Sequence, residues 1–180
     1  MFEKMNINPV AQAILLCLSR LPGKEFYLRE IARMVGASLG GCHNGLKELE
    51  ALGLVKSRAS GRNLYFSADD ADPAVAHFKI FANLVELNGL LAVLRPIAAK
   101  VVLFGSCSAG KDTAGSDVDL MVVTDEPGKA RLAIKSAPLS RSVQAVVFTP
   151  AQYLRNRDED PAFHGEIGKG IVLYRADERV

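Results

Sequence analysis

The chain has no tryptophan, only three cysteines and three histidines among 180 residues, and 7% aromatic residues. Cys17, Cys42 and Cys107 are far apart, odd in number and without metal-ligand spacing, which argues against a disulfide framework or a structural zinc site. They read as reduced thiols in a cytoplasmic protein. Apolar runs stop short of the ~20 residues that a bilayer span needs. Ala13 to Leu18 is too short, and no small-residue cleavage site follows it, so neither a membrane segment nor a signal peptide is expected. Internal repeats and low-complexity segments are also missing. What remains, 49% apolar and 23% charged, is the profile of a globular chain long enough for one large domain or two small ones.

The net charge of +2 conceals an asymmetry. Residues 20–66 carry eight Lys/Arg against four Glu, whereas residues 69–180 carry thirteen Lys/Arg against fifteen Asp/Glu. A nucleic-acid contact is therefore to be sought in the N-terminal part.

Periodicity divides the chain into two patterns. Val10, Ile14, Leu15, Leu18 and Leu21 form a helical stripe ended by Pro22-Gly23. A second short helix follows Tyr27 and closes at Gly36. Ser38 is placed to cap a third helix running to about Leu52, with Cys42, Leu46 and Leu49 inward. Two short strands flanking Ser60-Gly61 make a hairpin. After the turn-rich Asp69-Asp70-Ala71-Asp72-Pro73, an apolar pattern from Ala74 to Lys100 predicts helix, interrupted at Asn88-Gly89. From Val101 the order becomes strand, turn, strand, helix (127–136), strand (143–149), helix (from Pro150) and a last strand (171–174), which is α/β in class. The expected divisions are residues 1–72, a helical connector over 73–99, and 100–180.

Three helices followed by a hairpin is the order of a winged helix. Residues 7–68 resemble the winged helix-turn-helix of prokaryotic transcriptional regulators, on Tyr27-Leu28-Arg29-Glu30-Ile31-Ala32, Leu46-Lys47-Glu48-Leu49-Glu50-Ala51-Leu52-Gly53-Leu54-Val55 and Ser60-Gly61-Arg62-Asn63-Leu64-Tyr65. The resemblance implies double-stranded DNA as partner, with the third helix in the major groove and the wing on the backbone. His43 and Asn44 would then meet base edges. Lys47, Arg58 and Arg62 would meet phosphates, with Ser38 and Asn63 beside them. Gly40, Gly41 and Gly45 weaken that helix by ~1 kcal/mol each relative to alanine and remove three side chains that could read bases. Winged helices also dock proteins, so a protein-binding wing is the other reading.

The densest chemistry lies between two apolar runs, Val101-Val102-Leu103 and Leu120-Met121-Val122-Val123. Phe104-Gly105-Ser106 leaves the first, and Asp117-Val118-Asp119 enters the second after a ten-residue spacer. A Gly-Ser turn offers N–H groups and a hydroxyl to phosphate. Aspartates at i and i+2 on a strand share a face and suit one or two Mg²⁺ ions. With Ser116-Asp117-Val118-Asp119-Leu120 and Gly170-Ile171-Val172-Leu173-Tyr174, this stretch resembles the minimal nucleotidyltransferase domains of the DNA polymerase β-like superfamily over residues 95–175. The resemblance implies a small mixed sheet flanked by helices. It also implies Mg²⁺ and ATP or another nucleoside triphosphate held by Asp117 and Asp119, with Gly105, Ser106 and Lys111 at the phosphates. The family's third carboxylate falls where this sequence has Gln144, which can coordinate through oxygen but carries no charge. Catalysis is thus expected to be impaired, with active transfer of a nucleoside monophosphate as the alternative. Arg157 and His164 are spaced like an Arg-x₆-His ribonuclease motif, which Pro161 interrupts. The whole reads as a two-domain regulator, homodimeric and antitoxin-like, with a small helical toxin-like protein as a further partner.

Overall fold

The computed structural model describes residues 7–176, which divide by compactness into two units, the boundary lying between Lys79 and Ile80. That boundary falls inside a helix, whereas the sequence reading draws a separate connector over 73–99.

In the first unit α1 (Pro9–Ser19) is started by Asn8, whose Oδ1 accepts the Ala11 N–H at 2.9 Å, with Pro9 in the first turn where no donor is needed. The two-residue strand β1 (Phe26–Tyr27) leads into α2 (Leu28–Val35), which ends on Gly36 at φ 66°, the left-handed cap that glycine adopts without a Cβ penalty. Ser38 caps α3 (Leu39–Ala51) through its Oγ, 3.1 Å from the Gly41 N–H. A two-residue turn with Gly61 at φ 60° joins β2 (Val55–Ser60) to β3 (Asn63–Ala68), and the antiparallel sheet runs β1-β3-β2. Ile14, Leu15, Leu18, Ile31, Leu46, Leu49, Val55 and Phe66 form the core. Three helices, a hairpin and a short strand pairing with it constitute a winged helix.

Helix α4 (Pro73–Leu94) runs 22 residues without the break expected at Asn88-Gly89. Gly89 costs the helix about 1 kcal/mol relative to alanine. Burial of Leu87, Leu90, Leu91 and Leu94 around it returns roughly 1.5–3 kcal/mol each, so packing overrides propensity. By length and mean hydropathy, 1.3 over its best window, α4 could cross a bilayer. A third of that window is buried: Val75 belongs to the first unit's core and the four leucines to the second's, while Phe81, Val85 and Val93 are exposed.

In the second unit come β4 (Ala98–Phe104), α5 (Gly105–Ser108), β5 (Val118–Thr124), α6 (Pro127–Ser136), β6 (Val143–Phe148), α7 (Pro150–Glu159), α8 (Pro161–Gly168) and β7 (Ile171–Arg175). The sheet order is β6-β5-β4-β7; β5 and β6 are parallel and the other pairs antiparallel. One face carries Val101, Leu103, Val118, Leu120 and Val122 against the α4 leucines and Ala130 of α6. The other carries Val102, Met121 and Val123 against Ile167, Phe104, Phe148, Tyr153 and Phe163. Because β4 and β5 are covered on both faces, they read in sequence as unbroken apolar runs. The single helix expected from Pro150 is two. Pro161 cannot donate to the ladder of α7, and it opens α8 with Asp160 Oδ1 accepting the Phe163 N–H at 2.9 Å.

Candidate nucleotide site and candidate nucleic-acid interface

Strand β4 is followed by a residue whose backbone and surroundings favour glycine. Gly105 has φ 66°, and a Cβ built on it would lie 2.2 Å from Asp119 Oδ2. Absence of a side chain therefore makes room for the carboxylate as well as for the backbone conformation. The single turn of α5 follows, and the Ser106 carbonyl accepts the Lys111 N–H at 2.9 Å, closing a tight loop. Fully buried Cys107 anchors the loop, its Sγ donating to the Asp117 carbonyl at 3.4 Å. The Ser106 hydroxyl forms no hydrogen bond among the described residues, and Lys111 is exposed.

Asp119 is paired in the sheet with Phe104 on β4 and with Gln144 on β6. Paired residues project from the same face, so the Gln144 amide stands beside the Asp119 carboxylate on the adjacent strand. Exposed Asp117 lies just before β5, and its carboxylate accepts the Ser142 hydroxyl proton. Burial pushes the Asp119 carboxyl above its usual range, and the charge of Asp117 adds to the effect. The other nearby acids do not join them. Asp125 and Glu126 follow the opposite end of β5, about 20 Å away at ~3.3 Å per residue, and Asp112 is completely buried elsewhere. Among the described residues no three His, Cys, Asp or Glu side chains gather as a metal cluster. Two carboxylates, one amide oxygen and a recess that a Cβ would fill do fit an oxygen-seeking divalent cation, with one anion fewer than a three-carboxylate set.

The raised Asp119 pKa has a consequence for stability. Below the pKa of an unfolded aspartate, about 3.9, both states are protonated and the site costs nothing. As pH rises through the higher folded value, ionisation destabilises the fold. Asp119→Asn is therefore expected to raise the melting temperature near pH 7 without divalent cations. That gain should shrink to zero below about pH 4, checked by thermal melts across pH.

Beneath the loop lies a polar network absent from the sequence reading. Arg141, with 7% of its side chain exposed, donates to Asp112 Oδ2 at 3.0 Å, Glu86 Oε2 at 2.8 Å and Asn83 Oδ1 at 2.7 Å. Asn83 in turn donates to Asp112 Oδ1 at 3.1 Å and to the Cys107 carbonyl at 3.0 Å. These contacts tie α4, the loop between β4 and β5, and the lead-in to β6. That lead-in places Ser142 on Asp117, so Arg141 positions both sides of the carboxylate pair.

In the winged helix, Leu39, Gly40, His43, Asn44 and Lys47 lie on the exposed side of α3, and Arg62 and Asn63 are exposed at the hairpin tip. Ser38 is occupied in part as the helix cap. Arg58 is paired with Glu25, its Nε 2.9 Å from Oε1, and its guanidinium lies 5.7 Å from the Tyr65 ring centre. The pair is exposed and screened by solvent, so a phosphate can take the place of Glu25. The three glycines differ from one another. Gly40 faces open space, whereas Gly45 is buried and its missing Cβ would meet Ala11 Cα and Ile14 Cδ1, both at 3.2 Å. Gly45 thus serves close α1–α3 packing rather than the outer face. Gly45→Val should destabilise the winged helix by about 1–3 kcal/mol, measured by denaturant unfolding, while Gly40→Ala should not.

Arg157 and His164 lie on separate helices. Arg157 is exposed, and the His164 ring packs 5.0 Å from that of Tyr153.

Residues 86–167 match the family model for a nucleotidyltransferase domain. No curated protein matches the chain. Among solved structures, NolR from Sinorhizobium fredii is similar at 30% identity over 49% of this chain and 80% of that one, with a TM-score of 0.36. A homodimeric winged helix-turn-helix DNA-binding domain from Mycobacterium bovis is 21% identical over 51% of this chain and 79% of its own length, with a TM-score of 0.40. A Sulfolobus solfataricus protein assigned as a nucleotidyltransferase is 14% identical over 57% and 89%, also at 0.40. The winged helix is read from the topology of the first unit itself.

Proposed function

With a nucleotidyltransferase domain over residues 86–167 as the premise, we propose that the chain is a DNA-binding transcriptional regulator whose second unit binds Mg²⁺ and a nucleoside triphosphate with impaired catalysis. The observation that carries the second half is the pairing of Asp119 with Gln144 across β5 and β6, with Gly105 leaving room for the carboxylate. Asp117 and Asp119 would hold Mg²⁺, and the Gly105–Ser106 turn and Lys111 would hold the phosphates. The cation would neutralise phosphate charge where the two carboxylates alone would repel it. Ser142 keeps Asp117 oriented by its hydrogen bond. Gln144 contributes an oxygen but cannot take a proton from an attacking hydroxyl, so turnover is weak or absent while binding persists. Output passes through the basic winged helix, in a homodimer reading a two-fold site. A toxin-like protein partner would complete an antitoxin-like role.

The DNA half is tested by salt-dependent duplex binding. Arg58→Ala with Arg62→Ala should weaken binding uniformly and reduce the salt slope by about 2, one per lost phosphate contact. Unchanged affinity and slope would refute it.

Retention of both Asp117 and Asp119 favours a second reading, active transfer of a nucleoside monophosphate to a protein or small molecule. It predicts Mg²⁺-dependent labelling from radiolabelled nucleotide, abolished by Asp119→Asn. No label with any of the four nucleotides would exclude it.

A further inference from the structure

We propose that the open edge of β6 is a docking site for an extended acidic peptide segment of a partner protein. The proposal deepens the proposed function by naming a partner class. It rests on that reading only for the consequence of docking, not for the docking itself.

Strand β6 is one border of the sheet, and its sequence Val-Gln-Ala-Val-Val-Phe contains no charge, proline or glycine. Its pairing with β5 runs without a bulge from Val118↔Val143 to Val123↔Phe148. Such a border is the kind that proteins ordinarily blunt with charge, proline or a bulge, because its free N–H and C=O groups are a template for another strand. Two contacts fix which groups face outward. The Ser142 carbonyl accepts the Val118 N–H at 2.9 Å, so the even-numbered residues direct their backbone toward β5. Arg131 Nη2 donates to the Val147 carbonyl at 3.5 Å from outside the sheet. By the alternation of a strand, Val143, Ala145 and Val147 present N–H and C=O outward.

Beside the Val143–Ala145 part of this strand lies a groove of about 400 Å³ lined by apolar Ile134, Ala137 and Leu139 together with Arg131 and Lys135. Both cations are exposed, and neither forms an ion pair among the described residues. Arg141 also lines the groove but is committed to Asp112 and Glu86. Backbone pairing along β6 supplies affinity for any extended chain, and the apolar lining takes alternate side chains. The two unpaired cations select carboxylates. The Ser142 end of the groove adjoins Asp117, so the segment's acids belong beside Arg131 and Lys135. A segment seated this way reaches the carboxylate pair with its other end.

The test uses a fluorescein-labelled hexapeptide alternating valine and glutamate, its valine–lysine counterpart, and the full chain, without nucleotide or Mg²⁺. Fluorescence anisotropy should show the acidic peptide binding at least about tenfold more tightly than the basic one. Ala145→Pro removes an outward N–H that β5 does not use. It should weaken binding by about tenfold with an unchanged circular dichroism spectrum. Should that variant not fold, Arg131→Glu with Lys135→Glu, both on the exposed side of α6, should invert the peptide preference. Asp119→Asn should leave peptide binding intact, which separates this site from the nucleotide reading. Equal binding of the two peptides, absence of saturable binding, or full binding by the folded proline variant would overturn the proposal. So would light scattering that shows a wild-type dimer converted to monomer by Ala145→Pro, because a second copy would then occupy the edge.

Discussion

Arg141→Ala is expected to be the most damaging single substitution in the second unit. It removes the guanidinium from fully buried Asp112, which loses that ion pair and keeps the Asn83 amide as a donor. Removing one partner of a buried ion pair costs about 3–5 kcal/mol, because the other charge stays desolvated. Glu86 and the Asn83 carbonyl oxygen lose a donor at the same time. For a chain of this length the loss corresponds to a fall in melting temperature on the order of 10 °C. Arg141→Lys should recover only part of it, since a point ammonium cannot reach three acceptors in the planar array of the guanidinium. Calorimetric melts of the three proteins decide the matter. A fall of less than about 1 kcal/mol for the alanine variant would mean that Asp112 finds water or another donor.

The second large effect is expected from one methyl group. Gly105→Ala adds a Cβ 2.2 Å from Asp119 Oδ2, at a backbone angle of φ 66°. The left-handed conformation alone costs a non-glycine residue about 1–2 kcal/mol. The clash falls on the Asp119 side chain, with Cγ at 3.1 Å and Cβ at 3.4 Å behind the carboxylate oxygen, so something in the site must shift. Either the carboxylate swings away or the β4–α5 turn opens. Both outcomes dismantle the cation-binding geometry, so the variant should lose Mg²⁺-dependent thermal stabilisation as well as roughly 1–3 kcal/mol of intrinsic stability. Gly115, which faces open space without a positive φ, is the control: Gly115→Ala should alter neither.

Where the fold was legible in sequence, a local rule decided it. Ser60-Gly61 marked the hairpin because a two-residue turn needs glycine at a positive φ, and the structure has Gly61 at 60°. The runs from Val101 and Leu120 marked strands covered on both faces. Where the reading failed, a contact distant in sequence outweighed the local preference. Asn88-Gly89 should interrupt a helix, yet leucines packed on the β4–β5 face carry α4 through it. Gly45 looked like a gap in a recognition surface because nothing local shows α1 passing 3.2 Å from its missing Cβ. Strand β1, two residues long, has too little pattern to see and exists only through its pairing with Tyr65 and Phe66.

The site divides along the same line. Gly105, Ser106, Asp117 and Asp119 stand out because their chemistry and spacing lie within fifteen residues. The residues that position them, Asn83, Glu86, Asp112 and Arg141, span almost sixty and include no motif. A buried arginine with its acids is recognisable only once the sheet has brought α4 and the β6 lead-in to the same loop.

The role assigned to the second unit depends on binding of a magnesium nucleotide at the Asp117–Asp119 pair. The decisive measurement is isothermal titration of each nucleoside triphosphate into the wild type and Asp119→Asn, with and without Mg²⁺. Saturable one-to-one binding by the wild type, dependent on Mg²⁺ and abolished by the substitution, is the expected result. Binding that persists undiminished in Asp119→Asn, or no binding of any of the four nucleotides by the folded wild type, would contradict it.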